Sequence, residues 1–430
     1  MSKVLVIGMG ISGRSAARFL LDQGIEVWGI DRNPNACDQN LRKQITFQTD
    51  DLDINLSQFD QIIVSPGIPP THPVYAKALA STIPIMGEAE LALRSTKQPV
   101  IGVTGTNGKT TVTMLVAHVL NHSGKPAQAM GNIGKPLTSE MDPSKIIIAE
   151  LSSYQLETMQ SPVLDAAVIL NISPDHLDRY PSMQEYVDAK LRIRGCLKPK
   201  ASLIIEKSTY DTYARPPAIT YGTTSDCDYI FDETSLKFKE NIEYYYPVEY
   251  RRKISHDVEN EVAAYALCRT LGVTADQFLE ALKTFEKPLH RIEFVRNLDG
   301  ISYYNDSKGT NIQAVIRAVD RMGGPVVLIV GGQEKGSSYV PWIEAFAENV
   351  KGILAIGEAA EAIKRELSAR YSVQICKNLE TAIPLASSLA KEGENVLLSP
   401  GCSSFDMFRD YVHRGEEFKR IVNSLTGRSS

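Results

Sequence analysis

The residues best suited to chemistry lie in one glycine-rich stretch, VIGVTGTNGKTT, which spans residues 100–111. The apolar run 100–103 predicts a buried strand, and Lys109 and Thr110 begin a segment with apolar residues at helical spacing. In such a turn, backbone N–H groups and the helix dipole converge on a phosphate, a lysine reaches its terminal oxygens, and a threonine binds Mg²⁺. The other residues of this predicted cradle are Gly105, Thr106, Asn107, Gly108 and Thr111.

The glycine spacing is a variant of the usual phosphate-binding loop. The strict pattern has a glycine where this chain has Val103, and here the glycines are Gly102, Gly105 and Gly108. A glycine-rich turn without any ligand is the alternative interpretation. The Lys-Thr pair at the predicted start of the helix favours a phosphate site.

Acidic and imidazole side chains follow the next predicted strands. Glu150 ends one apolar run, and the loop after the run 168–170 carries His176 between Asp175 and Asp178. A carboxylate that leaves a strand beside a phosphate-binding loop is a common ligand of Mg²⁺ in nucleotide-hydrolysing folds. A lone histidine is usually structural, but a histidine among carboxylates in a polar loop favours a metal ligand or a proton carrier.

A second glycine motif, G-x-G-x-x-G at residues 8–13, lies near the start of the chain. An apolar run precedes it, apolar residues at helical spacing follow it, and the next predicted strand ends at Asp31. This unit is typical of dinucleotide-binding domains, where the acidic residue accepts from a ribose hydroxyl. The diphosphate of any nucleoside would fit the same turn, and Asp31 would then bind another ribose or none. A further turn at residues 65–67 is either a ligand contact or a rigid corner.

Size and composition exclude several classes of protein. A chain of 430 residues predicts two or three domains, and 43% hydrophobic with 23% charged residues is ordinary for a globular protein. The net charge of −5 argues against a general nucleic-acid surface. Six scattered cysteines without a C-x-x-C pair indicate reduced thiols, and no segment resembles a signal peptide or a membrane span. We therefore expect a cytoplasmic protein.

The elements that must position these residues repeat along the chain as strands that end at glycine or at polar turns. This repetition predicts an α/β fold of three domains, each built on a mostly parallel sheet with flanking helices. The expected domains are a Rossmann-like domain at 1–88, a central P-loop domain at 89–287 and a C-terminal Rossmann-like domain at 288–430.

Several motifs, taken in order, resemble the Mur ligase family of ATP-dependent ligases that form peptide bonds. The resemblance covers essentially the whole chain, and it is greatest to the members that add D-glutamate to UDP-N-acetylmuramoyl-L-alanine. The motifs are G-x-T-G-T-N-G-K-T at 102–110, E-L-S-S-Y-Q at 150–155, D-H-L-D-R-Y at 175–180, A-K at 189–190, L-H-R-I-E at 289–293 and N-D-S-K-G-T-N at 305–311.

The resemblance implies an activity and its reactants. ATP would activate the muramoyl-alanine carboxylate as an acyl phosphate, D-glutamate would displace the phosphate, and the product would serve peptidoglycan precursor synthesis. Two Mg²⁺ ions would assist, with Mn²⁺ as a possible substitute. The protein would act as a monomer without nucleic-acid or membrane partners.

The resemblance also implies roles for the central residues. Lys109 and Thr110 would hold the β- and γ-phosphates and one Mg²⁺, Glu150 would complete that metal site, and His176 would bind a second ion. Lys190 matches a carbamylated lysine, although its position in the sequence alone indicates an ordinary surface residue. Further ATP contacts would be Asn260, Arg291 and Asp306.

Two substrate sites complete what the resemblance implies. From the residues alone, Lys335, Ser404 and Tyr411 would be solvated surface positions. The family usually has asparagine where this chain has Asp257, and often has aspartate where it has Gln333, so neither residue receives a role. The UDP-substrate residues would be Gly10, Ile11, Ser12, Asp31, Arg32, Ser65, Gly67, Asn132, Ser152 and Gln155, and the D-glutamate residues would be Thr310, Lys335, Ser404 and Tyr411.

Three alternatives stay open on the sequence. An NAD-dependent dehydrogenase would explain residues 1–35 but would leave the P-loop, Glu150 and His176 without a function. A non-catalytic P-loop ATPase would hydrolyse ATP without any dependence on an amino acid. Another ligase of the same family would differ only in the amino acid that it adds.

Overall fold

The computed structural model describes residues 2–49, 53–213, 217–232, 234–239, 241–245 and 256–427. The chain divides into two compact units, Met1–Ile172 with Gln184–Glu286 and Ser173–Met183 with Lys287–Ser430. Within the described residues there are sheets of five, nine and six strands, and most neighbouring strands are parallel. The predicted α/β class with three sheet-based domains is confirmed, while the predicted domain boundaries stay predictions.

The first sheet lies at the start of the first unit. Its elements are β1 (Lys3–Ile7), α1 (Ile11–Leu21), β2 (Glu26–Asp31), α2 (Gln39–Arg42), β3 (Thr46–Thr49), a 3₁₀ turn (Leu56–Gln58), β4 (Gln61–Val64), α3 (Pro73–Leu79), β5 (Ile85–Gly87) and α4 (Glu88–Leu93). The strands are parallel in the order β3-β2-β1-β4-β5. The central strand β1 is an almost continuous apolar run because helices cover both faces of such a sheet.

The second sheet also belongs to the first unit and carries the P-loop. Its elements are β6 (Val100–Thr104), α5 (Lys109–His122), β7 (Ala127–Gly131), α6 (Leu137–Glu140), β8 (Ile146–Glu150), α7 (Ser153–Leu156), β9 (Leu164–Ile169), α8 (Met183–Leu191), a 3₁₀ turn (Arg192–Cys196), β10 (Leu197–Glu206), α9 (Lys207–Tyr213), β11 (Ile219–Gly222), β12 (Tyr229–Phe231), β13 (Ser235–Phe238), β14 (Asn241–Tyr245), α10 (His256–Thr270) and α11 (Ala275–Leu282). The order is β14-β13-β12-β11-β10-β9-β6-β8-β7. The strand before the P-loop, β6, therefore lies between β8, which ends at Glu150, and β9, which precedes Asn171.

The third sheet forms the core of the second unit. Its elements are β15 (Glu293–Leu298), β16 (Ile301–Asn305), α12 (Ile312–Asp320), β17 (Val326–Gly331), α13 (Pro341–Ala345), β18 (Val350–Ile356), α14 (Ala360–Leu367), β19 (Val373–Ile375), α15 (Leu379–Leu389), β20 (Asn395–Leu398) and α16 (Tyr411–Ser424). The order is β15-β16-β20-β17-β18-β19, and only the pair β15–β16 is antiparallel among these described strands. The carboxyl ends of β16, β17 and β20 meet at one edge of the sheet, where ligands bind in folds of this kind.

The helix α4 joins the first two sheets through buried carboxylates. Glu88 accepts hydrogen bonds from the backbone and the hydroxyl of Thr138 (2.6 and 2.8 Å), and that hydroxyl also contacts Ser15 on α1 (2.7 Å). Glu90 accepts from the backbone of Gln160 (2.7 Å) and from Ser161. Burial raises the pKa of Glu88, so this contact couples the arrangement of α1, α4 and α6 to a proton.

Candidate functional site

The loop between β6 and α5 has the backbone shape of a phosphate cradle. Gly105 and Gly108 have φ angles of 146° and 89°, which side chains other than hydrogen rarely permit. A Cβ atom at Gly108 would lie 2.3 Å from the Oδ1 atom of Asn260, so this predicted ATP residue lies directly against the loop. The helix begins at Lys109 with Gly108 as its N-cap, and Thr111 is in its first turn.

Two residues that the sequence did not identify brace the loop. The backbone oxygen of Asn171 accepts from Thr106 (2.7 Å), and its side chain exchanges two hydrogen bonds with the backbone of Asn107 (2.9 and 3.0 Å). The hydroxyl of Tyr186 contacts that of Thr106 (3.0 Å). Asn171 could have been identified from its position directly after a strand and before the polar loop. No feature of the sequence around Tyr186 indicates its role.

Two lysines converge on the same part of the loop. The Nζ atom of Lys109 donates to the backbone oxygens of Gly105 and Thr106 (both 2.8 Å), and the Nζ atom of Lys190 donates to Gly105 (2.9 Å). Lys190 is only 2% exposed, and its ammonium group lies 4.7 Å from the ring centre of Tyr186. The interpretation of Lys190 as a surface lysine is therefore wrong. A lysine on a helix is usually exposed, but the face of α8 that carries Lys190 packs against the loop.

Buried oxygen atoms on helix α5 and on strand β8, the neighbour of β6, fit a divalent cation. Glu150 uses Oε1 to accept from the Nδ2 atom of Asn132 (3.0 Å). Its Oε2 atom and the hydroxyl oxygen of Thr110 are buried, and neither has a hydrogen-bond partner among the described residues. A buried polar atom without a partner costs about 1–3 kcal/mol, and oxygen ligands of this kind suit Mg²⁺. These donors therefore fit the predicted ion.

The protein supplies few ligands to any such ion. Within the described ranges, no cluster of three or more His, Cys, Asp or Glu side chains could hold a metal. A site with one hydroxyl and one carboxylate suits Mg²⁺, which usually keeps several waters and binds substrate phosphates.

The predicted UDP-substrate residues around the N-terminal turn are held by internal contacts. Asp31 accepts from the backbone of Met9 (2.6 Å) and of Asn33 (2.9 Å), and Ser65 donates to the backbone oxygen of Gly8 (2.6 Å). A Cβ atom at Gly13 would lie 1.8 Å from that same oxygen, so the glycine is required for close packing. The exposed residues of this region are Gly10, Ile11, Arg32 and Gly67, with Ser12 half-buried.

The other predicted UDP-substrate residues cluster near Glu150. The backbone N–H of Asn132 donates to the backbone oxygen of Glu150 (3.0 Å). Ser152 and Gln155 form a reciprocal capping box at the start of α7, immediately after β8. The structure therefore brings Asn132 and Glu150 together, and it holds Ser152 and Gln155 in the turn that follows.

The predicted D-glutamate residues lie in the second unit. The Nζ atom of Lys335 donates to the backbone oxygen of Thr310 and to the Oδ1 atom of Asp175 (both 3.1 Å). Ser404 is buried, and the ring of Tyr411 lies 3.8 Å from the Nζ atom of Lys308. Lys335 is thus oriented by Asp175, a residue that received no role from the sequence.

Two predicted ATP residues and one predicted metal ligand also belong to the second unit. Burial raises the pKa of Asp306 to about 7, although Ser399 donates to its Oδ2 atom (2.7 Å) and the charge of Arg291 lowers the pKa. His176 has a left-handed backbone (φ 57°), and its Nε2 atom lies 3.7 Å from Asp175. The roles of His176, Arg291 and Asp306 toward a nucleotide stay predictions. The side chain of Asp257 lies outside the described residues.

Fold and site together define the class of P-loop α/β nucleotide-binding proteins. Comparison with family models matches residues 2–87 to a Mur ligase MurD-like N-terminal domain, 103–268 to a Mur ligase middle domain and 290–402 to a Mur ligase glutamate ligase domain. The chain is 49% identical to a UDP-N-acetylmuramoylalanine–D-glutamate ligase of Protochlamydia amoebophila and 35% identical to one of Chlamydia pneumoniae, each over 98% of both chains. The chain belongs to the Mur ligase family.

Solved structures show the same fold at low sequence identity. The UDP-N-acetylmuramate-alanine ligase MurC of Thermotoga maritima aligns with a TM-score of 0.63 at 18% identity, over 99% of this chain and 100% of that one. MurF of Acinetobacter baumannii aligns with a TM-score of 0.61 at 16% identity, over 97% and 93%. Among the described residues, no helix has both the length and the apolar character needed to cross a membrane.

Proposed function

We propose that this chain joins D-glutamate to UDP-N-acetylmuramoyl-L-alanine with consumption of ATP and release of ADP and phosphate, in peptidoglycan precursor synthesis. The observation that carries the proposal is the full-length similarity to relatives named for that reaction, at 49% and 35% identity. The match of residues 290–402 to a glutamate ligase domain supports the acceptor, and the P-loop geometry supports the use of a triphosphate.

The proposed reaction has two steps. A carboxylate oxygen of the muramoyl-alanine substrate attacks the γ-phosphorus of ATP, which breaks the bond to ADP and gives an acyl phosphate. The amine of D-glutamate then attacks the acyl carbon, loses a proton and expels phosphate as the peptide bond forms. Both steps concentrate negative charge in one place, so fixed positive groups lower the barrier.

The phosphate loop would supply much of that positive charge. Lys109 is held over the loop by Gly105 and Thr106, and a γ-phosphate would replace those carbonyls as its partner. The N–H groups at the start of α5 point at the same anion. Mg²⁺, when bound, would neutralise the phosphates, and Mn²⁺ would serve in the same way.

The metal ligands are proposed on the donors present. Thr110 and Glu150 would hold one ion through their buried oxygens, and His176 would bind a second. Lys190 would become a carboxylate by capture of CO₂ as a carbamate, which would change a buried cation beside Lys109 into an anion that attracts metal ions.

The substrate residues are proposed in the same way. The UDP-substrate would lie along the N-terminal turn, with its muramoyl part near Asn132, and D-glutamate would contact Lys335, whose cation suits a dianionic amino acid. Asn260, Arg291 and Asp306 would contact ATP. We further propose that the protein is a cytoplasmic monomer of three domains, at 1–88, 89–287 and 288–430, without nucleic-acid or membrane partners.

One assay tests the proposed function. Phosphate release is measured with ATP, Mg²⁺ and UDP-N-acetylmuramoyl-L-alanine while amino acids of both hands are supplied in turn. We expect release only with D-glutamate. Release without any amino acid would indicate an ATPase, release with a different amino acid would indicate another ligase, and tight binding of NADH without release would indicate a dehydrogenase.

A further inference from the structure

Arg414 lies in the first turn of α16, and its side chain is completely buried. Its Nε atom donates to the hydroxyl of Ser307 (3.0 Å), and Nη2 donates to the backbone oxygens of Ser307 (2.9 Å) and Cys402 (3.2 Å). Its Nη1 atom donates to the backbone oxygens of Ser403 (3.2 Å) and Gly331 (3.5 Å). One side chain thus ties together the loops that follow β16, β17 and β20.

The partners of Arg414 do not neutralise its charge. Within the described part of the chain, each hydrogen bond of the guanidinium goes to a carbonyl or hydroxyl oxygen, and no carboxylate is paired with it. Burial lowers the pKa of Arg414 to about 10, so the side chain stays protonated at neutral pH. A buried cation without an ion-pair partner is costly, which indicates that the position serves more than packing.

The contacts of Arg414 coincide with the proposed site for the amino acid. Three of the four residues proposed to bind D-glutamate follow a residue that bonds to Arg414 by at most four positions in the chain. The fourth shares Ser307 with Arg414 as a hydrogen-bond partner. These residues are Thr310 after Ser307, Lys335 after Gly331, Ser404 after Ser403, and Tyr411, whose backbone oxygen accepts from the Ser307 hydroxyl (2.8 Å).

We infer that Arg414 is a positioning residue for the acceptor amino acid. It fixes the loops that carry Thr310, Lys335 and Ser404, and its buried positive charge, which no carboxylate contacts directly among the described residues, favours a dianionic substrate at the same sheet edge. The inference rests on the proposed function, since it assumes that D-glutamate binds in this unit. It predicts that loss of Arg414 weakens the use of D-glutamate specifically, with ATP and the UDP-substrate affected much less.

Arg296 provides a matched control. Its Nη1 atom donates to the backbone oxygens of Val422 (3.1 Å), Asn423 (3.1 Å) and Leu425 (3.4 Å), at the opposite end of α16. Like Arg414, it is an arginine of the second unit bonded to backbone carbonyls, but none of its hydrogen bonds within the described residues is to a loop at the carboxyl edge of the sheet. If both arginines only stabilised the fold, substitution of Arg414 and of Arg296 would have the same effect on the KM for D-glutamate.

The test compares Arg414→Lys, Arg414→Gln and Arg296→Gln in the phosphate-release assay, with KM measured for each of the three substrates. We expect the KM for D-glutamate to rise by about tenfold or more in Arg414→Gln and by less in Arg414→Lys, which keeps the charge. We expect the other two KM values to change by less than about twofold, and Arg296→Gln to alter only the melting temperature. Equal changes in all three KM values, or equal effects of Arg414→Gln and Arg296→Gln, would overturn the inference.

A second variant keeps the test decisive if both Arg414 variants fail to fold. Ser307→Ala removes the hydroxyl that links Arg414 to Tyr411 and leaves a small, compatible side chain. We expect its KM for D-glutamate to rise severalfold with a wild-type melting temperature, and an unchanged KM would contradict the inference. Wild-type protein in the same assay separates the two claims, because absence of D-glutamate-dependent release there would contradict the proposed function instead.

Discussion

The two glycine-rich turns of the first unit connect a strand to a helix in the same way. They differ in whether the polar side chains beside them have hydrogen-bond partners among the described residues. Each follows a buried parallel strand and begins a helix, at residues 8–13 and 105–108. In the first turn, Asp31 and Ser65 are engaged by the turn's own backbone. Beside the second turn, the hydroxyl oxygen of Thr110 and the Oε2 atom of Glu150 have no hydrogen-bond partner in the part of the chain that the structure describes.

The difference shows which features beside such a turn indicate a triphosphate and its metal ion. The glycines specify backbone shape and close packing in both places; at Gly13, for example, a Cβ atom would clash with the backbone oxygen of Gly8. The second turn adds two lysines directed at Gly105 and buried oxygens of Thr110 and Glu150 that lack partners among the described residues. A site for a triphosphate with its metal ion is therefore distinguished by buried side-chain oxygens that the described residues leave without a partner.

The largest effect is expected from Lys109→Ala in the second turn. Removal of a cation that contacts the developing charge should lower kcat by about 100-fold or more, while the melting temperature stays close to wild type. Phosphate release and thermal melting measure the two quantities. Near-normal turnover would show that the second turn does not hold the reacting phosphate. The oxygens beside that turn that have no partner among the described residues would then not indicate a triphosphate site.

A loss of similar kind is expected from Lys190→Ala, since this lysine shares the Gly105 carbonyl with Lys109. If the working form is a carbamate, a small added carboxylate should restore part of the activity by taking its place. Activity is measured with and without the additive, and ¹³CO₂ labelling detects the carbamate directly. No rescue together with an unmodified lysine would remove the carbamate from the proposal.

Asp31→Asn tests the first turn, where the expected effect is on stability. The amide keeps one oxygen acceptor but loses the other, so one of the backbone N–H groups of Met9 and Asn33 loses its partner. We expect a loss of about 1 kcal/mol, which corresponds to a fall in melting temperature of about 4–8 °C for the proposed domain of residues 1–88. The comparison is Lys109→Ala, which should lower activity without a comparable loss of stability.

The smallest effect is a dependence of stability on pH at Glu88, the buried carboxylate that bonds to Thr138 on α6 and, through it, contacts Ser15 on α1. Burial raises the pKa of Glu88 above its ordinary value of 4.5, so the folded protein holds this proton more tightly than the unfolded chain does. Its contribution to stability is complete below pH 4.5 and is lost as the pH rises through the raised value. We expect the melting temperature of Glu88→Gln to fall less than that of the wild type as the pH rises above 4.5. An equal fall in both proteins would show that Glu88 does not cause this dependence on pH.

Much of the fold followed from local sequence pattern. The strand predicted at 100–103, the helix predicted to begin at Lys109 and the strands predicted to end at Asp31 and Glu150 agree with the structure, because each is an apolar or amphipathic run beside a clear turn signal. Other predicted bounds, such as 168–170 for the strand Leu164–Ile169, were shorter than observed. The small residues Ala166 and Ala167 hide the start of that strand.

What the sequence missed depends on long-range packing. The antiparallel strands of the second sheet, β12 to β14, carry mixed polar and apolar residues without a period that marks them, and they form by pairing with their neighbours. The burial of Lys190 and the use of Asp175 to orient Lys335 depend on contacts between residues 85 and 160 positions apart. No local pattern encodes such contacts.

The most direct test of the central claim is a crystal structure with a non-hydrolysable ATP analogue and Mg²⁺. We predict that the γ-phosphate contacts the Nζ atom of Lys109, and that a cation lies on the Thr110 hydroxyl and the Oε2 atom of Glu150. A nucleotide bound instead at the turn of residues 8–13, with the second turn unchanged and its buried oxygens still without partners, would contradict the account.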